Sequence, residues 1–91
     1  MHSSEGGERV TETTVLVRFW AGARAAAGVD EQRIGGVTTV GDLVARLAEA
    51  HPPLEPVLPV CSVLVEGRAS TGDDPVPPGA VVEVLPPFAG G

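Results

Sequence analysis

The chain has 91 residues, 43% of them hydrophobic, which is enough for one small domain with a modest core but not for a deep catalytic cleft. A formal net charge of −6 argues against nucleic acid and anionic membrane partners, both of which select a basic surface. With one cysteine, the chain cannot form an intramolecular disulfide, and one cysteine and two histidines are too few for a zinc site. No apolar run approaches the ~20 residues of a membrane span. We therefore expect a cytoplasmic protein that binds no metal.

The chain begins with a polar, charged and glycine-bearing segment, residues 1–13, which we predict to be a flexible arm. The first predicted strand, Thr14–Trp20, follows it. Alternation divides its side chains between two faces, with Val15, Val17 and Phe19 on one and Leu16, Arg18 and Trp20 on the other. Because Arg18 favours water, the second face should point outward and leave Leu16 and Trp20 partly exposed.

The next segment is alanine-rich and ends in glycine. A short helical turn or loop is predicted for Ala21–Gly28. A weaker second strand is predicted around residues 32–34, with Gly35 and Gly36 loosening its end. The short link between the first two strands favours antiparallel pairing.

The clearest helix is predicted over Thr39–Ala50. Thr39 can cap its first turn, and Asp42 three residues later completes an approximate capping box. The predicted buried stripe consists of apolar residues at helical spacing, namely Val40, Leu43, Val44 and Leu47. The helix should end at His51, because the residue before a proline avoids the helical conformation.

A proline-punctuated connector, residues 54–59, leads to the apolar run Val60–Val65. This run predicts a strand that is buried on both faces. Cys61 lies in it, and we interpret this cysteine as a small core residue rather than as a persulfide carrier.

A turn at residues 66–68 and a loop rich in glycine and proline, Thr71–Gly79, precede the last predicted strand, Ala80–Leu85. The adjacent acids of the loop, Asp73 and Asp74, are interpreted as turn residues rather than metal ligands. The last strand should point Val82 and Val84 inward and Val81, Glu83 and Leu85 to the other face. The whole order predicts an α+β fold in which one main helix packs across a mixed sheet of four to five strands.

Residues 86–91 have no apolar pattern to bury and are predicted to form a flexible tail behind the domain of residues 14–85. Pro86 and Pro87 favour an extended backbone, and Phe88 offers an apolar anchor. After Ala89, Gly90 and Gly91 have no Cβ and can pass a narrow channel. These residue types suit a segment that enters another protein.

The carboxylate of Gly91 is the candidate reactive group. Adenylation would turn this poor electrophile into an acyl phosphate, and sulfide transfer would then give a thiocarboxylate, whose sulfur is a strong and soft nucleophile. This chemistry needs no acid or base side chain from the chain itself.

Several segments of the chain resemble the MoaD/ThiS family of ubiquitin-like sulfur carriers, and within it the small subunits of molybdopterin synthase. They are Phe19-Trp20-Ala21 followed by Arg24, Thr39-Val40-Gly41-Asp42-Leu43, Val63-Leu64-Val65-Glu66-Gly67, Asp74-Pro75-Val76, Pro78-Gly79, Val81-Val82 and the most specific one, Leu85-Pro86-Pro87-Phe88-Ala89-Gly90-Gly91. The resemblance spans residues 14–91 and implies a ubiquitin-like β-grasp fold with an extended C-terminal tail.

The resemblance also implies a reaction cycle. An E1-like adenylyltransferase/sulfurtransferase would use ATP to activate Gly91, and a sulfur donor would yield the thiocarboxylate. The large subunit of molybdopterin synthase, assembled with this chain as a heterotetramer, would take the tail into its own active site and pass sulfur to cyclic pyranopterin monophosphate. The chain would then be a non-catalytic carrier that binds no cofactor.

The family's docking surface is an apolar patch on the sheet beside the tail, and the matching positions here are Trp20, Leu85 and the smaller residue Ala69. Two alternatives share the activation of Gly91: a carrier for thiamine, cysteine or tRNA sulfuration, and a ubiquitin-like modifier joined to lysines. A binding module with an inert tail is a third. All six basic residues are arginine, so the chain has no lysine on which to build chains of itself.

Overall fold

The computed structural model describes residues 14–87, which contain five strands, two helices and two short 3-10 turns. The strands are β1 (Thr14–Phe19), β2 (Glu31–Gly35), β3 (Ser62–Val65), β4 (Arg68–Ala69) and β5 (Val81–Leu85). The helices are α1 (Ala21–Ala27) and α2 (Val40–Ala50), and the 3-10 turns are Pro52–Leu54 and Leu58–Val60. The predicted arm and the tail from Phe88 onward lie outside the described residues, so those two assignments stay predictions.

The five strands form one mixed sheet in the order β2-β1-β5-β3-β4. β1 pairs antiparallel with β2, as predicted, and parallel with β5. β3 joins the other side of β5 in antiparallel fashion and carries β4 at the edge. The first and last strands therefore lie side by side in the middle of the sheet, and the predicted α+β fold is confirmed.

The core lies between α2 and one face of the sheet, which we call the inner face. Its side chains come from alternate positions of β1 and β5 and from the stripe of α2, namely Val15, Val17, Phe19, Val82, Val84, Val40, Leu43 and Leu47. The predicted inner faces and helix stripe are thus confirmed, although Val44 of the stripe is only half-buried. No helix within residues 14–87 combines the length and apolar character that crossing a membrane requires.

The start of α2 is fixed by two threonines and one carboxylate. The N–H of Asp42 donates to Thr39 Oγ1 at 3.1 Å, so Thr39 is the predicted cap. The carboxylate of Asp42 accepts from the hydroxyl of Thr38 at 3.0 Å and from its N–H at 3.3 Å, one residue earlier than a capping box requires. The Thr38 hydroxyl hydrogen bond is the main cause that lowers the pKa of Asp42 from its ordinary value.

The proline-rich connector contributes to the core, which its composition did not indicate. Pro52 and Pro53 lie in the 3-10 turn that leads into it and Pro59 lies in the second 3-10 turn, and these turns bury Leu54 and Leu58 to 0% and 5% exposure. Val60, which was predicted to begin a buried strand, instead ends the second turn and is 61% exposed.

The prediction that Val60–Val65 is a strand buried on both faces is wrong. β3 begins at Ser62, and only Val63 and Val65 are buried, while Ser62 is exposed and Leu64 is half-buried. The physical reason is that α2 covers one face of the sheet, and nothing in residues 14–87 covers the other. The alternation of buried and less buried side chains was therefore difficult to recognise in this run of six mostly apolar residues.

A two-residue hairpin joins β3 to β4, a short strand that was not predicted. Glu66 and Gly67 have φ values of 51° and 80°, the positive angles of a type I′ turn. The Glu66 carboxylate also accepts from the N–H of Val81 at 2.6 Å, which ties this hairpin to the start of β5. The hairpin places Ala69 opposite Leu64 at the sheet edge.

Candidate partner-docking face

The end of β5 fixes the point from which the predicted tail leaves the domain. The N–H of Trp20 donates to the carbonyl oxygen of Val84 at 3.1 Å, one residue before Leu85. Pro86 is half-buried beside α1, where a Cβ built on Gly22 would lie 4.0 Å from the Pro86 Cγ. Pro87 is exposed, so the chain is already at the surface when the described residues end.

Trp20 and Leu85 are neighbours on the outer face of the sheet at this point. β1 and β5 are aligned from Leu16 opposite Val81 to Phe19 opposite Val84, and the same register carried one residue further places Trp20 beside Leu85. Trp20 is 40% exposed and Leu85 is half-buried, as the alternation predicted. The structure therefore brings together two of the three predicted partner-binding residues, directly beside the base of the tail.

The indole of Trp20 is in contact with the guanidinium group of Arg18. The guanidinium carbon of Arg18 lies 5.5 Å from the ring centroid, a cation–π contact that contributes roughly 0.5–1 kcal/mol at an exposed site. Arg18 Nε is also 3.8 Å from a carboxylate oxygen of Glu31 on β2. Trp20 therefore lies at the surface against Arg18, whereas Phe19 is packed into the core at the end of β1.

Ala69, the third predicted residue, lies on the same outer face but not beside Trp20 and Leu85. It pairs with Leu64, and Leu64 pairs with Glu83 of β5, so one strand, β3, separates Ala69 from the central strand β5 that carries Leu85. Ala69 is exposed, and its small side chain extends the outer face of the sheet toward the β4 edge.

Leu64 is the residue of this face that sequence reasoning missed. It is half-buried between Ala69 and Glu83, and it was assigned to a strand buried on both sides. The signal that could have found it is the serine at position 62, because Ser62 and Leu64 share one side of β3. The apolar part of the outer face therefore consists of Leu16, Trp20, Leu64, Ala69, Val81 and Leu85.

A row of charges crosses the middle of the outer face. Glu31, Arg18 and Glu83 lie opposite one another on β2, β1 and β5, with signs that alternate. Both side chains of the Arg18–Glu31 ion pair are about half exposed, so this contact adds little to stability. The row divides the apolar pair Leu16 and Val81 from the apolar residues beside the tail.

Cys61 lies immediately before Ser62 but points to the other side of the sheet. Its side chain is half-buried against the core and lines a groove of about 310 Å³ with Val44 and Leu58. Burial raises the pKa of the thiol, which disfavours the thiolate that sulfur chemistry needs. Core packing is therefore the better description of this cysteine, as predicted from its place in an apolar run.

One of the two adjacent acids, Asp74, is a turn residue as predicted. Asp74 Oδ2 accepts from the N–H of Thr71 at 2.8 Å, so this carboxylate closes a turn. Within residues 14–87 there is no group of three or more histidine, cysteine, aspartate and glutamate side chains placed to hold a metal ion.

Two parallel central strands, antiparallel neighbours on both sides and one helix packed across the sheet define the ubiquitin-like β-grasp fold. A model of the ThiS family matches residues 17–91 of the chain. The chain belongs to this family, whose matched segment runs through β5 and the tail to Gly91.

One curated relative is the molybdopterin synthase sulfur carrier subunit of Chlamydomonas reinhardtii, which is 31% identical over 81 residues and is aligned over 85% of this chain and 98% of its own length. Among solved structures, the putative molybdopterin converting factor, subunit 1, of Pyrococcus furiosus has a TM-score of 0.76 at 28% identity, over 82% of this chain and 98% of that chain.

Two further structures extend the comparison to a modifier and to a complex. SAMP1, the small archaeal modifier protein 1, of Haloferax volcanii has a TM-score of 0.75 at 26% identity, over 86% of this chain and 99% of that chain. The complex of subunits 1 and 2 of the molybdopterin-converting factor of Helicobacter pylori contains a chain with a TM-score of 0.65 at 26% identity, over 86% of this chain and 99% of that chain.

Proposed function

We propose that this chain is the sulfur carrier of a molybdopterin synthase. Three findings support this function: family membership, the curated relative from Chlamydomonas reinhardtii, and the likeness to subunit 1 of one molybdopterin converting factor and to a chain in the complex of subunits 1 and 2 of another. The chain acts as a carrier in this proposal, and the catalytic groups belong to its partners. The cytoplasm, where its substrates and partners are expected, stays a prediction from sequence.

The observation that carries the proposal is the position of Trp20 and Leu85. An exposed tryptophan and a half-buried leucine lie together at the place where the chain leaves the domain toward Gly91. Tryptophan is enriched among the residues that contribute most to binding at protein interfaces, and an adjacent leucine adds apolar area around it. A partner that covers this face is therefore positioned to receive the tail at the same time.

The reactive group in this proposal is the carboxylate of Gly91, which lies outside the described residues. An E1-like enzyme adenylates it with ATP, and sulfur from a donor then replaces the adenylate to give a thiocarboxylate. Pro86 and Pro87 favour an extended backbone before Phe88 and Ala89, and the two terminal glycines, which have no Cβ, would enter the partner.

The proposed receiving partner is the large subunit of molybdopterin synthase, in a heterotetramer with this chain. The similarity to a chain of the complex between subunits 1 and 2 of the molybdopterin-converting factor supports such a partner. The outer face would bind it through Trp20 and Leu85, with Leu64 and Ala69 extending the contact toward β4. Sulfur then passes from the Gly91 thiocarboxylate to cyclic pyranopterin monophosphate.

A modifier function is the second candidate, because SAMP1 of Haloferax volcanii is nearly as similar in structure as the converting-factor subunit. Both functions begin with an activated Gly91, and they differ in the group that receives it. In the modifier, a lysine amine of another protein would attack the activated carbonyl carbon and retain the whole chain.

Intact-mass analysis of the protein from its native host separates these functions. A shift equal to the exchange of one oxygen for sulfur, absent from a variant that lacks Gly91, supports the carrier. A ladder of larger conjugates supports the modifier instead. An unmodified mass under sulfur-replete conditions contradicts both. The Trp20→Ala variant should still gain the sulfur but should bind the large subunit weakly, which separates docking from activation.

A further inference from the structure

β2 is an edge strand of the sheet, and one of its sides is open. Within residues 14–87, β2 pairs only with β1, in antiparallel fashion. The N–H of Phe19 donates to the carbonyl oxygen of Asp30 at 2.9 Å. Because hydrogen-bonded pairs alternate along an antiparallel ladder, every second residue from Asp30 onward bonds to β1. The residues between them, Glu31 and Arg33, therefore point their backbone N–H and C=O groups away from the sheet.

The open part of this edge is short. The carbonyl oxygen of Gly35, the next residue in the outward set, accepts from Nη1 of Arg46 at 3.1 Å, so the chain itself already occupies the end of the edge. Glu31 and Arg33 leave two N–H donors and two C=O acceptors for a further strand. Unpaired groups of this kind on an edge strand are a template for pairing with another chain.

The side chains on this edge select the strand that can pair with it. Glu31 and Arg33 are exposed and lie on the outer face, opposite Arg18 and Leu16 of β1. Charged side chains on an edge disfavour most pairings, but these two have opposite signs and lie two residues apart. If two copies of β2 meet antiparallel with Gln32 opposite Gln32, Glu31 of each copy faces Arg33 of the other. A shift of this register by two residues in either direction places Glu31 opposite Glu31 or Arg33 opposite Arg33.

The backbone groups match in the same register. Glu31 of one copy and Arg33 of the other both point their groups outward, so they form a hydrogen-bonded pair that exchanges two N–H···O bonds. The symmetric pair adds two more, and together these bonds use all the open groups of both residues in both copies. Gln32 is uncharged, and its Oε1 forms a hydrogen bond with Nε2 of His51, so no charged side chain of β2 lies on the axis.

The pairing also continues the row of charges on the outer face. Glu83, Arg18 and Glu31 lie opposite one another with alternating signs, and the row ends at the edge with a negative side chain. Arg33 of a second copy would take the next position of this row. Opposite charges at facing positions stabilise an antiparallel pair of strands, and like charges there destabilise it.

We infer that β2 is a dimerisation edge, which pairs antiparallel with β2 of a second copy of this chain about a two-fold axis at Gln32. Closed two-fold dimers are the commonest assemblies of identical chains. The axis is perpendicular to the sheet, so the two sheets join into one and both outer faces lie on the same side of it. Trp20 and Leu85 of each copy lie on these faces and not on the joined edge. The dimer therefore presents two docking faces in the same direction.

Sedimentation equilibrium of the full chain tests this dimer at concentrations up to about 1 mM, because a contact of this size binds weakly. The unsubstituted chain should show an equilibrium between monomer and dimer. Glu31→Arg makes both open positions positive and Arg33→Glu makes both negative, so each should raise the dissociation constant at least about fivefold. An equimolar mixture of the two variants should dimerise again, because opposite charges then face each other in both pairs.

Two exposed charges elsewhere provide matched controls. Glu55→Arg in the proline-rich connector and Arg68→Glu on β4 change the net charge by the same amounts, and they should leave the dissociation constant unchanged. Urea unfolding of each variant shows whether its domain is folded. Hydrogen exchange measured by NMR gives a readout that needs no substitution, since the amide protons of Glu31 and Arg33 should exchange more slowly as the concentration of the chain rises.

The inference is overturned if the unsubstituted chain stays monomeric at about 1 mM, or if these two amide protons exchange equally fast at all concentrations. It is also overturned if the mixture of folded variants dimerises no better than either variant alone. A loss from Arg68→Glu as large as that from Arg33→Glu would place the contact at the β4 edge instead. None of these measurements involves Gly91, so their failure would leave the proposed carrier function untouched.

Discussion

The two faces of the sheet differ most clearly at Phe19 and Trp20, which are consecutive in sequence. Phe19 points to the inner face and is 3% exposed, whereas Trp20 points to the outer face and is 40% exposed. β5 repeats the pattern with Val84, which is fully buried, and Leu85, which is half-buried. One alternating pair of strands therefore separates the side chains that hold the domain together from those that are available to a partner.

The largest expected effect is on the inner face. Phe19→Ala should lower the free energy of unfolding by roughly 3–5 kcal/mol, because it leaves a cavity beneath α2 and removes the edge contact with His51. Urea unfolding at neutral pH measures this loss. The neighbouring change, Trp20→Ala, should cost less than about 1 kcal/mol because the indole is already partly in water. If the two substitutions lowered the free energy of unfolding equally, the proposed difference between the two faces would be wrong.

The second prediction concerns binding rather than stability. Trp20→Ala and Leu85→Asp should each weaken binding to the synthase large subunit by more than ~1 kcal/mol, since they remove or charge the proposed anchors. Calorimetric titration of the two purified subunits measures this change.

Val60→Ala is the matched control, because Val60 is an apolar residue that is 61% exposed and belongs to the second 3-10 turn rather than to a strand of the sheet. It should leave the dissociation constant unchanged. If Val60→Ala weakens binding as much as Trp20→Ala does, or if neither anchor substitution has an effect, the partner binds elsewhere.

The inner face could be predicted from the sequence because its apolar residues recur at regular intervals. Val15, Val17 and Phe19 alternate with more polar residues, and the stripe of α2 recurs at helical spacing, so periodicity alone assigns both. Trp20 and Leu85 could be placed outward for the same reason, with Arg18 as the marker.

The part of the outer face near β4 could not be read in this way. In the run Val60–Val65, apolar residues occupy every position except Ser62, so the alternation that exposes Leu64 is marked by that single polar residue alone. The two-residue strand β4 is too short for any period. The burial of Leu54 and Leu58 depends on how prolines turn the backbone, which is a property of tertiary packing rather than of spacing.

The third prediction tests what stabilises the N-terminus of α2, the helix that covers the inner face. Thr39→Ala should lower the free energy of unfolding by about 1 kcal/mol, because the N–H of Asp42 loses its acceptor at the start of α2. Thr39→Ser keeps a hydroxyl in the same place and should retain most of the stability. If serine fails to restore stability, the methyl group of Thr39 matters more than its hydrogen bond. Binding to the large subunit should change in neither variant.

The smallest expected effect is a pH dependence at the same helix start. The pKa of Asp42 is lowered in the folded chain, chiefly by the hydroxyl of Thr38, so the unfolded chain binds the proton more readily. The stability that this carboxylate contributes is therefore present above its ordinary pKa of 3.8 and is lost as the pH falls through the lower, folded value. Asp42→Asn should consequently be less stable than the unsubstituted chain at neutral pH, and the difference should shrink at about pH 2.5, as urea unfolding at the two pH values can measure.

Thr38→Ala provides the control for the cause of this shift. It removes the hydroxyl that donates to Asp42 at 3.0 Å, so an NMR titration of the Asp42 carboxyl carbon should find its pKa moved upward, toward the ordinary value. If Asp42→Asn carries the same penalty at both pH values, the penalty comes from the shape of the side chain and not from its charge. In that case the charge of Asp42 does not help to hold α2 against the inner face, and the helix depends at this end on the Thr39 cap and on the burial of Val40 and Leu43.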